Sequence, residues 1–139
     1  MNAAVSALRP APAKAATQPA LTDALRATVG AKSAAALALL REAVAEFGAH
    51  GELAFANSFG AEDMVLTDLI LSHALPITVF SLDTGRLPAE TYTLIGEVER
   101  RYDTKLEIYF PDAGAVEQYV RGHGINAFYD SVELRKACC

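Results

Sequence analysis

Leu53-Ala54-Phe55-Ala56-Asn57-Ser58-Phe59-Gly60-Ala61-Glu62-Asp63, followed by an apolar run and then Val79-Phe80-Ser81-Leu82-Asp83-Thr84-Gly85-Arg86, is the stretch that decides the fold. It reads as strand, loop, helix, strand, loop. The first apolar run is short and bounded by polar and Gly residues, as a buried parallel strand should be. The second, residues 77–82, is rich in β-branched and aromatic side chains. Two strands joined through a helix form a right-handed crossover, and the loops at their carboxyl ends lie on one edge of the sheet, where α/β proteins bind ligands. Residues 58–63 and 83–86 are therefore expected to face the same crevice.

Outward from this unit, the 139 residues suffice for one core, and a hydrophobic content of 52% marks a globular chain. The expectation is one α/β domain over residues 21–139 after a disordered tail at residues 1–20. That tail is Ala- and Pro-rich, with Pro10, Pro12 and Pro19, and offers no periodic apolar face. It carries Arg9 and Lys14 but no acid before Asp23, which fits a solvated extension or an organelle transit peptide. A net charge of −5 argues against nucleic-acid binding, because phosphate-tracking surfaces need clustered Lys and Arg. No apolar run approaches the roughly 18 residues that would span a bilayer. The two cysteines, both at the C-terminal end, make no disulfide framework, so the cytoplasm is the expected compartment.

Leu37, Leu40, Val44 and Phe47 recur at three- and four-residue spacing, predicting a helix from about residue 33 that Gly48 ends and that packs on the sheet. The helix at about 62–73 is apolar on several faces, as suits an element sandwiched in a core, and His73 at its end is given no role. Pro88 opens the next helix, with Tyr92, Ile95, Val98 and Tyr102 as its stripe. Residues 106–110 form a third strand, and Pro111-Asp112 opens a helix over about 113–121 that ends in a loop where Gly122 and Gly124 bracket His123. The sheet is expected to be parallel with helices on both faces. With three strands and no strand after the last helix it looks incomplete at the C-terminus, leaving an edge to be covered.

Two loops and the C-terminal segment could carry chemistry. Ser58, Phe59, Gly60 and Ala61 stand between a strand and a helix start, where backbone N–H groups and the helix dipole favour an anion. Gly60 would let the backbone approach a phosphate, and Ser58 would add a hydroxyl donor, although Ser58 as a simple helix cap fits as well. Glu62 and Asp63 suit the dipole but would repel a phosphate unless they turn away or hold a cation. In the second loop, Leu82, Asp83, Thr84, Gly85 and Arg86 could meet a nucleotide through backbone, carboxylate and guanidinium, or could be a tight turn with a solvated Arg. Arg135 and Lys136 are an anion contact or a solvated pair. Cys138 and Cys139, adjacent and so poorly placed for a mutual disulfide, are inert thiols or half of a thiolate metal site.

Taken together, Ser58-Phe59-Gly60-Ala61-Glu62-Asp63, Phe80-Ser81-Leu82-Asp83-Thr84-Gly85-Arg86 with Glu90-Thr91-Tyr92, and Arg135-Lys136-Ala137-Cys138-Cys139 resemble the assimilatory adenylyl-sulfate and phosphoadenylyl-sulfate reductases, in family order. The paired cysteines resemble the iron–sulfur type that reduces adenylyl sulfate. The resemblance implies an adenine nucleotide alpha-hydrolase-like fold, with residues 58–63 taking the phosphosulfate end and residues 82–86 near the nucleoside. It implies Cys138 and Cys139 as two of four ligands of a 4Fe-4S cluster, with thioredoxin releasing sulfite. The family's second Cys-x-x-Cys pair and its nucleophilic Cys are not among these residues, so the chain is expected to be an N-terminal portion that binds substrate without turnover. Phosphoadenylyl-sulfate reduction and nucleotide binding without activity are the other readings, and homo-oligomerisation stays open. ATP pyrophosphatase or sulfurtransferase chemistry resembles a Ser-Gly-Gly-x-Asp loop, which Phe59 and Ala61 break here.

Overall fold

The structure, a computed structural model, describes residues 22–138. The expected tail at residues 1–20 and the proposed metal ligand Cys139 lie outside the described residues.

The described residues form the helices and strands α1 (Asp23–Phe47), β1 (Leu53–Ala56), α2 (Ala61–Ser72), β2 (Ile77–Leu82), α3 (Ala89–Tyr102), β3 (Glu107–Tyr109), α4 (Ala113–His123) and α5 (Val132–Cys138), with a 3-10 turn at Ala127–Tyr129. The strands form one parallel sheet in the order β1-β2-β3. Leu53 pairs with Ile77, Ala56 with Phe80, and Phe80 in turn with Glu107, so β2 is central. The α/β class and the parallel sheet are those read from residues 53–86.

Side-chain alternation along the strands separates two faces. Phe55, Ile77, Val79 and Ile108 turn toward the core, which they build with Phe59, Ile70, Val98 and Leu106 from the first loop, α2, α3 and the lead into β3. Both crossovers run in the same direction across the sheet and leave α2 and α3 on one side, as connections of one hand must. The other face carries Phe80, half-buried, with Leu82 60% and Tyr109 53% exposed. The second layer expected on that face is formed by neither α2 nor α3. Phe80 and Tyr109 meet there edge to face, their centroids 5.7 Å apart.

Several local readings shift. Helix α1 starts at Asp23, well before the start expected near residue 33, because Thr22 caps it: its hydroxyl accepts from the Leu25 N–H at 3.2 Å, and an Ala-rich run carries the helix onward. Its stripe is only half-buried at Leu37, Leu40 and Val44, Phe47 stays exposed, and α1 packs against α2, with Leu40 reaching the core. Pro88 is the N-cap of α3 and not its first residue. Helix α4 runs through Gly122 to His123; its start is fixed by Asp112, whose carboxylate accepts from the Ala115 N–H at 2.8 Å. Helix α5 was not foreseen, since seven residues carry too little periodicity to announce a helix.

Candidate functional site

The two loops lie on a common rim. In a parallel pair with Ala56 opposite Phe80, the chain leaves β1 and β2 at the same edge, and the ladder continues one step beyond each strand. Asn57 N–H donates to Phe80 O at 2.8 Å, and Asp83 N–H to Tyr109 O at 2.9 Å. Residues 57–60 and 83–86 therefore start from fixed points side by side.

The first loop is tied up by its own side chains. Ser58 donates both its N–H (2.8 Å) and its hydroxyl (2.6 Å) to Asp63 Oδ2 in the first turn of α2. These two bonds, the hydroxyl first, hold the Asp63 carboxyl below the usual carboxylate range. Of the two readings of Ser58, ligand donor or helix cap, the cap position falls to Gly60, and the Ser58 hydroxyl is held by Asp63. Phe59 N–H goes to Asn57 Oδ1 at 2.6 Å, and Gly60 N–H to Ser58 Oγ at 3.3 Å. The residue that turns the chain is Phe59, at φ 63°, while Gly60 is extended at φ −66° and acts as the N-cap of α2 with no side-chain cap. A Cβ at Gly60 would meet Ser58 Oγ only at 3.4 Å, so the glycine is not demanded by conformation. What it leaves bare is the start of a helix, where the first N–H groups have no intrahelical acceptor. Glu62 is exposed in that first turn.

The second loop closes on a buried carboxylate. Asp83, 4% exposed, accepts at Oδ1 from the Gly85 N–H at 2.6 Å and from the Tyr92 hydroxyl at 3.0 Å. These two bonds shape the turn. Partial burial of the phenol, then its bond to Asp83, pushes the Tyr92 pKa up. Gly85 stands at φ 76°, a conformation for which glycine is needed. Arg86 reaches across to the chain after α4: its guanidinium donates to Ile125 O and stacks 4.4 Å from the Phe128 ring centroid. Arg135 Nε also bonds this segment, at Phe128 O (3.3 Å), whereas Lys136 is exposed.

The consequence is a cavity of about 240 Å³ whose wall includes Thr84, Arg86, Pro111, Tyr119 and Cys138. A chain-terminal thiol and the loop after β2 share one space. A second hollow, about 270 Å³, lies over the open sheet face at the same rim, walled by Ala56, Ser58, Phe80, Leu82 and Leu87. A larger cavity of about 450 Å³ sits at the opposite rim between Gly48, Gly51, Leu75 and Pro76, away from every candidate residue. Ligands of open parallel sheets gather at the carboxyl ends of the strands, which favours the first two.

Sequence reasoning missed Asn57 and Thr67. Both are buried, and Asn57 Nδ2 donates to Thr67 Oγ1 at 2.8 Å. An Asn directly after a strand, ahead of a Ser-x-Gly turn, was the available signal. A cluster ligand set cannot be assembled from what is described: no group of three or more His, Cys, Asp or Glu side chains converges on a metal position among the described residues. Cys138 is a free, half-buried thiol. Among the described residues no helix is long and apolar enough to cross a membrane.

Known proteins are similar to this chain in sequence. The chain is 49% identical over 112 residues to an adenosine 5'-phosphosulfate reductase of Allochromatium vinosum, an alignment covering 81% of this chain and 43% of the relative. It is 54% identical over 90 residues to the enzyme of the same name from Burkholderia cepacia, covering 65% and 36% respectively. A third relative, from Agrobacterium fabrum, is 44% identical over 92 residues. The chain thus spans less than half the length of these relatives. The model of the phosphoadenosine phosphosulfate reductase domain matches residues 52–139, taking in both rim loops and the terminal thiols, and the chain belongs to that family.

Proposed function

We propose that this chain is the nucleotide-binding portion of a thioredoxin-dependent adenylyl-sulfate reductase, acting in the assimilation of sulfate in the cytoplasm. The observation that carries the reading is the shared cavity of Thr84, Arg86 and Cys138, beside the bare start of α2 on the same rim. Adenylyl sulfate enters along that rim. Its phosphosulfate end meets the N–H groups at residues 60–62, and its nucleoside lies over residues 82–86. Two anions must meet in such a reaction, so the site has to hold positive charge and donors in place before the substrate arrives. Arg86, Arg135 and Lys136 supply that charge, and the tethering of Arg86 to Ile125 and Phe128 keeps it oriented.

Cys138 and Cys139 are assigned as two thiolate ligands of a 4Fe-4S cluster, which needs four. Both thiols of the 139 residues are then ligands and neither is a nucleophile, so the 139-residue polypeptide binds substrate and does not reduce it. The test is calorimetric titration with AMP and adenylyl sulfate, paired with a sulfite-release assay using reduced thioredoxin. Saturable binding without sulfite is expected. Turnover by this polypeptide overturns the assignment of the thiols, absence of binding overturns the site, and a marked preference for phosphoadenylyl sulfate reassigns the substrate.

A further inference from the structure

We infer that Asn57 and Thr67 are positioning residues for the anion-binding turn, an inference that rests on the proposed binding of an adenylylated anion at this rim. Both are buried, at 3% and 0% exposure, and although Asn57 stands in the wall of the hollow over the sheet face, the bonds of both side chains go to the turn and to α2. The side chains close a circuit. Asn57 Nδ2 donates to Thr67 Oγ1 (2.8 Å), whose own hydroxyl hydrogen goes to Asp63 O at 2.8 Å. The Asp63 carboxylate accepts both donors of Ser58, the residue next to Asn57, and Asn57 Oδ1 accepts from Phe59 N–H. Together these bonds join the loop to the first two turns of α2.

The circuit has a job that packing alone does not demand. Phe59 sits at φ 63°, a conformation that side-chain-bearing residues rarely adopt, with its ring buried in the core. The Asn57 amide holds that conformation through one bond and the second turn of α2 through the other. The direction in which residues 60–62 present their N–H groups is thereby fixed relative to the strand. Of the two acids in the first turn, Asp63 is turned back onto Ser58. Without the Thr67 hydroxyl Asn57 Nδ2 loses its acceptor, and the turn can relax independently of the helix.

The circuit orders the phosphate end of the site and leaves the nucleoside end alone, so its signature is the ratio of AMP to adenosine affinity. In Thr67→Val, which keeps the shape and removes the hydroxyl, AMP affinity is expected to fall about tenfold and adenosine affinity to stay within about twofold, one lost hydrogen bond's worth of preorganisation. Thr67→Ser restores the hydroxyl and is expected to recover AMP affinity to within about threefold of the parent. A parallel measurement uses the unsubstituted chain: amide exchange at Ser58 and Phe59 is expected to slow with AMP and not with adenosine. If the unsubstituted chain fails to prefer AMP over adenosine, the binding reading itself is lost. If it does prefer AMP, but Thr67→Val keeps the same ratio or exchange at Phe59 is unmoved by AMP, the positioning role is overturned and the binding reading stands.

Discussion

Asp63 and Ser58 form the shortest link between the turn after β1 and helix α2, the carboxylate accepting the hydroxyl at 2.6 Å and the backbone N–H of the same residue at 2.8 Å. One acid is thereby removed from the face that an anion would approach, and the strand-to-helix turn becomes a rigid unit before any ligand arrives.

This link makes acid stability depend on one carboxylate. The Asp63 pKa is lowered in the folded chain, chiefly by the Ser58 hydroxyl and then by its N–H. A lowered folded value means the contribution is complete above the unfolded value of about 3.9 and is lost as pH falls through the folded one. Glu99, lowered by the Leu106 N–H and Lys105, acts in the same sense. Thermal midpoints measured from neutral pH downward should fall below about pH 4, and Asp63→Asn should flatten part of that decline.

Arg86 is expected to tolerate no conservative exchange. Its guanidinium both donates to Ile125 O and lies over Phe128, a combination that needs a planar fork. Arg86→Lys should loosen the segment after α4, read as faster amide exchange at residues 125–128, and should weaken AMP binding roughly five- to tenfold.

The second loop rests on the Asp83 carboxylate. Asp83→Ala leaves the Gly85 N–H and the Tyr92 hydroxyl without their acceptor and should cost about 1–3 kcal/mol in chemical denaturation. Tyr92 should titrate above an ordinary tyrosine in the parent, because its phenol is partly desolvated and bonded to Asp83, and should return toward the ordinary range in Asp83→Ala.

The core makes a contrast between two leucine-sized residues. Ile70 is fully buried against Val79 and Val98, so Ile70→Ala should cost about 2–5 kcal/mol. Leu39, 66% exposed on α1, should change stability by less than about 0.5 kcal/mol when replaced by Ala.

Much of this arrangement was legible in the sequence. Two short apolar runs separated by a helix-length segment place the loops at 57–60 and 83–86 on one rim, because parallel crossovers leave no alternative. The roles inside the loops were not legible. Whether Ser58 faces a ligand or Asp63, and whether Asp83 faces a ligand or Gly85 and Tyr92, depends on side-chain rotamers that spacing does not encode. Asn57 and Thr67 escaped notice because their bond spans ten residues and joins a loop to the inside of a helix. The left-handed residue of the first turn is Phe59, held there by an Asn amide, which nothing in the spacing announces. Helix α1 outran its apolar stripe because Thr22 and the Ala-rich run after it set the start, not the residues that touch α2.

The central claim is that one rim of the sheet receives an adenylylated anion with Cys138 at its side. Amide chemical shifts followed during titration of the 139-residue chain with adenylyl sulfate test it most directly. The account predicts saturable changes concentrated at residues 59–63 and 84–86 and at Cys138, with Gly51, Leu75 and Ile77 at the opposite rim unmoved. Changes centred on the cavity between Gly48 and Pro76, or no saturable change at Gly60 and Gly85, would contradict it.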